Sequence, residues 1–252
     1  MLSWLESMCH PDEGFSFFND TAFGIAPSLR ELQNYSARLN IKKNSKKIKA
    51  LKYLKDSGYI RIERKKIVAI LDVANIGPSY IPGHGHADIL SFELSLFGQR
   101  VVINSGTSIY GASSERHNQR STKSHSTVVI DEENSSEVWS GFRVGRRANI
   151  IDLKTKLSDT KIYVSACHDG YVRLKGRPIH QRDWTFFDDK VIIKDSITGK
   201  GIHRIKSILP LHPEVSIINI QTNSVKLKVN GKLVKIVLEG PGELKVISSQ
   251  YH

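Results

Sequence analysis

Between Leu90 and Leu96 the chain alternates between apolar and polar side chains: Leu90, Phe92, Leu94 and Leu96 against Ser91, Glu93 and Ser95. A period of two belongs to a β-strand with one buried face, not to a helix. Extending the register backward places His84, His86 and Asp88 on the side of the apolar row. An unpartnered polar group away from water costs roughly 1–3 kcal/mol, so imidazoles on a buried face need partners. A metal ion, a substrate or ordinary hydrogen bonds would each serve, and that choice decides the function.

The same texture runs from Gly58 to the C-terminus. Residues 59–63 and 67–72 flank Arg64-Lys65-Lys66 as a hairpin, and 92–97 and 101–104 flank Gly98-Gln99-Arg100 as another. Further strands are expected at 127–131, 161–166, 184–187, 191–195, 206–209, 215–220, 224–229, 233–238 and 244–248. Many short strands separated by turn residues predict a mainly β, antiparallel β-sandwich, not alternating βαβ units. Residues 1–40 read differently. Leu2, Leu5 and Met8 have helical spacing before the breaker His10-Pro11-Asp12-Glu13-Gly14, and Ser28 with Glu31 forms a capping box ahead of Leu29, Leu32 and Leu39. So few helices cannot bury their own apolar faces, so the start reads as the tail of a helical domain. The expected division is 1–57, helical remnant and basic linker, and 58–252, sandwich.

Composition narrows the class. The chain has 252 residues, 39% hydrophobic and 25% charged, which suits a globular protein with a sizeable core. Cys9 and Cys167 form no CxxC pair, which argues against a disulfide framework or a thiolate zinc site. Glu6, Asp12, Glu13 and Asp20 interrupt the first twenty residues, so no signal peptide is visible and the compartment stays open. The longest apolar run, 67–71, is too short for membrane insertion. The net charge is +12, and between Lys42 and Lys66 eleven Lys or Arg residues face two acids, Asp56 and Glu63. Such a stretch attracts polyanions, or is a solvated linker and outward strand face. No helix-turn-helix, zinc-finger or RNP signature accompanies it, so nucleic acid is not the expected partner.

His-x-His on a strand sets two imidazoles about 6–7 Å apart, suited to a shared metal or to neighbouring roles. The metallo-β-lactamase pattern fails because Ile89 stands where a histidine is required. A cupin would place a glutamate four or five residues past the second histidine, and Glu93 comes seven past. Amidohydrolase barrels need a βα alternation that is absent.

The combined residues of 83–147 carry more. Gly83-His84-Gly85-His86-Ala87-Asp88, Ser91-Phe92-Glu93-Leu94, Val102 to Tyr110 (VINSGTSIY), Arg120 to Val128 (RSTKSHSTV) and Trp139-Ser140-Gly141-Phe142-Arg143 resemble, in order, the heparinase II/III-like family. Phe17 to Ile25 (FFNDTAFGI) and His168-Asp169-Gly170-Tyr171 extend the likeness. Members are polysaccharide lyases with an N-terminal (α/α) toroid and C-terminal antiparallel β-sandwiches, which cleave uronic-acid-containing glycans by β-elimination with a metal, usually zinc, in the sandwich. The resemblance implies that His84 is the catalytic-face histidine. It implies His86 and His125 as metal ligands, with Asn104 standing where an aspartate is typical, so that a structural zinc would be held more weakly. Elimination needs a base, an acid and positive charge on the carboxylate. His84 and Tyr110 are expected to share the proton work, and Arg120 to bind the acidic polysaccharide. For Tyr110 the alternative is core packing, for Arg120 pairing with Glu115 or Glu137; Trp139, Phe142 and Trp184 are expected in the core, with stacking on sugars as the alternative. The family's toroid supplies catalytic residues, and this chain carries only its end. It is therefore expected to turn polymer over poorly alone, or to be a non-catalytic carbohydrate-binding or assembly module. The likeness further suggests a bacterial cell envelope or periplasm.

Overall fold

The computed structural model describes residues 1–41 and 49–249, so four lysines of the basic stretch (Lys42, Lys43, Lys46 and Lys47) lie outside the described residues. Strands β1 (Leu51–Leu54), β2 (Tyr59–Arg64), β3 (Ile67–Asp72), β4 (Phe92–Leu96) and β5 (Gln99–Val102) form one antiparallel sheet in chain order. After the short β6 (Val128–Ile130) and the pair β7 (Val138–Trp139) and β8 (Arg143–Val144), a second sheet is built from β9 (Ile150–Leu157), β10 (Ile162–His168), β11 (Ile179–Phe186) and β12 (Val191–Thr198). Strand β13 (Ile205–Ser207) pairs with β6, and β14 (Ser216–Gln221), β15 (Ser224–Val229) and β16 (Lys232–Val237) make a three-stranded sheet. Helices are few: α1 (Leu2–Ser7), α2 (Leu29–Arg38) and α3 (Ser114–Arg120). The mainly β antiparallel architecture with a small helical N-terminal part is the expected one.

Alternation builds the core. Ile60, Ile62, Ala69, Leu71, Phe92 and Leu94 of the first sheet meet Ile162, Val164, Trp184 and Phe186 of the second and Val225, Leu227 and Val229 of the third. Burying each large aliphatic side chain contributes about 1.5–3 kcal/mol, which fixes the register of every strand that carries one. Turn chemistry follows. Lys65 takes φ 53° at the β2–β3 turn, and Phe97 and Gly98 take φ 55° and 86° at the β4–β5 turn. That two-residue turn pairs Leu96 with Gln99, so Gln99 and Arg100 belong to β5 and not to the loop expected around them. The Ser28–Glu31 capping box opens α2 as expected.

Four readings of the sequence are corrected. Sheet pairing begins at β1, in the stretch read as linker. Strand β9 escaped notice because Lys154 and Lys156 break the apolar alternation, although it pairs along β10. Residues 244–248 form no strand; Val246 and Ile247 are exposed and find no ladder partner among the described residues. The fourth correction concerns β4, whose polar face is not solvated. The segment after α1 covers it: Met8 and Phe18 pack with Tyr59 and Ile70, and His10 bonds Glu93 and Ser95. Glu93 is fully buried there and accepts the Phe17 and Asn104 backbone N–H groups.

Candidate functional site

The strand does not extend backward to the histidines. Leu90 takes φ 60°, and the Ser91 N–H donates to the Asp88 carbonyl at 2.8 Å, so the chain turns just before β4. His84, His86 and Asp88 therefore lie on a loop. Two neighbours fix that loop. Asn19 accepts the His86 backbone N–H (3.3 Å), and the Arg120 guanidinium donates twice to the Gly85 carbonyl (3.0 and 3.2 Å). The segment around Asp20 packs directly on Gly106, at φ 63°, where a Cβ would lie 2.3 Å from the Thr21 carbonyl oxygen.

Asp20 is the centre of the site, and sequence reasoning missed it. Its Oδ2 lies 2.7 Å from His84 Nδ1 and its Oδ1 2.9 Å from His86 Nε2. Arg116 donates to both oxygens, through Nη2 to Oδ2 at 2.8 Å and through Nη1 to Oδ1. The Arg116 guanidinium also reaches Thr107 Oγ1 (2.5 Å) and the Gly141 carbonyl (3.0 Å). Burial opposes charge on Asp20, but hydrogen bonds from His86, Arg116 and His84 outweigh it and hold the carboxyl well below the usual carboxylate range. The available signal was the "ND" turn ahead of Thr21, which carries nothing specific by itself.

Arg116 and Arg120 stand one turn apart on α3, and both are fully buried. Arg120 is thus corrected from substrate rim to loop support. It bonds the Gly85 and Ser140 carbonyls, not Glu115 or Glu137, and burial followed by the Arg116 charge lowers its pKa to about 10. On the open side, the His84 side chain is 67% exposed. Its ring meets Tyr110 at 6.1 Å and Phe142 at 5.7 Å, both edge-on, and Arg116 lies beneath Tyr110 and Phe142 at 5.2 and 5.4 Å. Tyr110, Phe142 and Trp139 are exposed, and Arg143 stacks on Trp139. Of the three aromatics expected in the core, Trp184 is there and Trp139 and Phe142 are not.

Behind this surface, His86 and His125 are fully buried with ring centroids 5.2 Å apart, and His125 Nδ1 lies 3.1 Å from Asn104 Oδ1. His125 thus has His86 on one side and Asn104 on the other. Burial lowers the pKa of His86, and lowers that of His125 further, so both rings are neutral near pH 7. His86 Nδ1, His125 Nε2 and Asn104 Nδ2 have no hydrogen-bond partner. Two imidazole lone pairs, each with its other nitrogen already tied to a partner, suit a metal. The third group is a neutral amide, and among the described residues no cluster of three His, Cys, Asp or Glu side chains forms a metal site.

Residues 46–252 match the model of a family described as heparinase II/III-like, C-terminal. The fold is similar to heparan sulfate lyase HepC from Pedobacter heparinus (17% identity, TM-score 0.70), over 94% of this chain and 38% of that one. It is likewise similar to a heparinase III gene product (18% identity, TM-score 0.73), over 96% of this chain and 38% of that one. The chain thus spans well under half the length of these structures. No curated protein matches it by sequence.

Proposed function

The chain belongs to the heparinase II/III-like family, and on that premise we propose that it is the C-terminal part of a polysaccharide lyase that cleaves uronic-acid-containing acidic glycan by β-elimination. The observation that carries this reading is His84, bonded through Nδ1 to Asp20 and exposed beside Tyr110. In the proposed step His84 Nε2 takes the proton α to the uronate carboxylate, and the electron pair left behind forms the ring double bond. The bond from the β-carbon to the glycosidic oxygen breaks, and Tyr110 gives its phenolic proton to that oxygen. General acid–base catalysis of this kind contributes about 10²–10⁴-fold. Arg116 and Arg120 are both committed inward, so neither meets the uronate carboxylate; Arg143, exposed and stacked on Trp139 at 5.9 Å, is the cation proposed for that contact.

A zinc held by the free His86 Nδ1 and His125 Nε2 would have Asn104 behind His125, its Oδ1 bonded to Nδ1, and not in its own coordination sphere. Asn104→Asp makes that partner a carboxylate, which raises the basicity of His125 and should raise zinc affinity in calorimetry; unchanged affinity would show that Asn104 does not act on the metal through His125. Exposed Trp139, stacked with Arg143, favours a second reading, a carbohydrate-binding module without turnover. Mixing the chain, joined to the helical toroid of a family member, with uronic-acid glycans separates the two. Elimination yields a conjugated product and a rise in ultraviolet absorbance, whereas retention of glycan with no rise would leave only the module.

A further inference from the structure

We infer that Asp20 is the positioning residue of this site, holding His84 in the Nδ1–H tautomer so that the lone pair of Nε2 faces the open side. The inference rests on the lyase reading for its catalytic meaning, but its geometry stands alone. An ionised carboxylate only accepts hydrogen bonds, so the 2.7 Å contact between Asp20 Oδ2 and His84 Nδ1 requires the proton on Nδ1. The ring then carries its lone pair on Nε2, which has no partner among the described residues, on a side chain that is 67% exposed.

Asp20 cannot turn away. Its side chain is only 6% exposed, and Arg116 grips both oxygens while itself anchored to Thr107 and the Gly141 carbonyl. The second oxygen applies the same constraint to His86, whose Nε2 donates at 2.9 Å and whose Nδ1 is left without a partner. One clamped carboxylate therefore sets the tautomer of two neighbouring histidines, one opening outward and one inward. A carboxylate behind an imidazole plays this part in serine hydrolases, where it orients the base without touching the reacting atoms.

The tautomer is directly observable. Long-range ¹H–¹⁵N spectra of the full chain with ¹⁵N-labelled histidine, at a pH where His84 is neutral, should show His84 protonated on Nδ1. Asp20→Asn presents an amide that cannot accept from both histidines and from Arg116, so His84 should shift to the Nε2–H form, or to a mixture rich in it. His125, held through Nδ1 by Asn104, is the control and should not move. Asp20→Glu keeps the carboxylate and should retain more of the Nδ1–H form than Asp20→Asn. An Nε2–H His84 in the unmodified protein would overturn the inference even if no variant folds, and so would an unchanged tautomer in a folded Asp20→Asn. With glycan, Asp20→Asn should lower kcat by about 10²–10³-fold with KM within about threefold. If the chain joined to the toroid gives no absorbance rise, the lyase reading fails while the spectra of the chain still decide the role of Asp20.

Discussion

Two largely shielded carboxylates organise this molecule with similar kinds of partner and opposite outcomes. Asp20 gathers His84, His86, Arg116 and, through Arg116, the hydroxyl of Thr107. Asp195 gathers His180 (2.8 Å), Arg182 (2.7 and 2.9 Å) and the hydroxyl of Ser207 (2.9 Å). In both, burial resists the charge and the arginine and histidine contacts hold the carboxyl well below its ordinary range. The difference lies on the far nitrogen of the histidine. His180 Nδ1 meets His168 Nε2 at 3.1 Å, and His168 Nδ1 accepts the Gly170 N–H at 3.1 Å, so that chain ends on backbone. His84 ends on solvent. The same three groups make a structural strut when every lone pair is spent, and a reactive site when one is left free.

The closed hub also supports the open one. Arg182 is fully buried and donates to the carbonyls of Leu90 (2.9 Å) and Ser126 (2.5 Å), which flank the loops bearing His86 and His125. Arg182→Ala would strand the Asp195 charge and two carbonyls, a loss of about 3–5 kcal/mol in chemical denaturation. A loss under about 1 kcal/mol would mean that water replaces the guanidinium and that the strut is not one. His84→Ala should do the reverse. Asp20 keeps Arg116 and His86 when the exposed ring goes, so stability falls by only about 1 kcal/mol, while glycan turnover of the toroid-joined chain falls by about 10²–10⁴-fold. Loss of the fold, or retained turnover, would place His84 with His180 as a structural histidine.

That contrast was only half legible in the sequence. The period of two from Gly58 onward, the β2–β3 turn and the Ser28–Glu31 cap are local signals, and local physics produced them. Grouping His86, Asn104 and His125 came from family likeness. Asp20 lies in the family-like segment 17–25, but its role was not legible there, because its partners lie 64, 66 and 96 positions away, a separation no local pattern encodes. Arg116 and Arg120 share one face of α3, and nothing in their spacing says which of them grips a carboxylate. Glu93 misled for a related reason. A polar row on a strand reads as solvated, yet here the segment carrying His10 lies across it.

Acid should strain both hubs through their buried histidines, since burial lowers the pKa of His86 and His125 as well. Burial lowers the pKa of His168 and His180, the first well below its ordinary value. With unfolded values near 6.5, the unfolded chain binds more protons than the native one below about that pH, so stability falls as the pH falls through it. Each histidine contributes a slope of up to about 1.4 kcal/mol per pH unit. Asp20 and Asp195, with lowered pKa values, keep their contribution until the pH drops below about 4. Urea unfolding at pH 7.5, 6 and 5 measures the first window. His168→Gln should flatten its slope, and an unaltered slope would show that the pair does not control it.

The smallest effect compares the two hydroxyls. Thr107 Oγ1 accepts from Arg116 and lies 3.3 Å from Gln119 Oε1, on a residue that is 6% exposed. Ser207 Oγ donates to Asp195 at 2.9 Å and lies 3.3 Å from Arg182 Nη2, but its residue is exposed. A hydroxyl that water can replace contributes little, whereas a buried donor left short of an acceptor costs about 1–3 kcal/mol. Arg116 keeps Asp20 and the Gly141 carbonyl after Thr107→Val, which holds that loss to the lower end, about 1 kcal/mol. Ser207→Ala should cost about 0.5 kcal/mol or less, since solvent reaches the vacated position. Thermal unfolding of the two variants side by side measures the order. If Ser207→Ala proves the costlier, the Asp195 hub depends on its hydroxyl more than burial implies, and the division into a closed strut and an open site must be redrawn around Ser207.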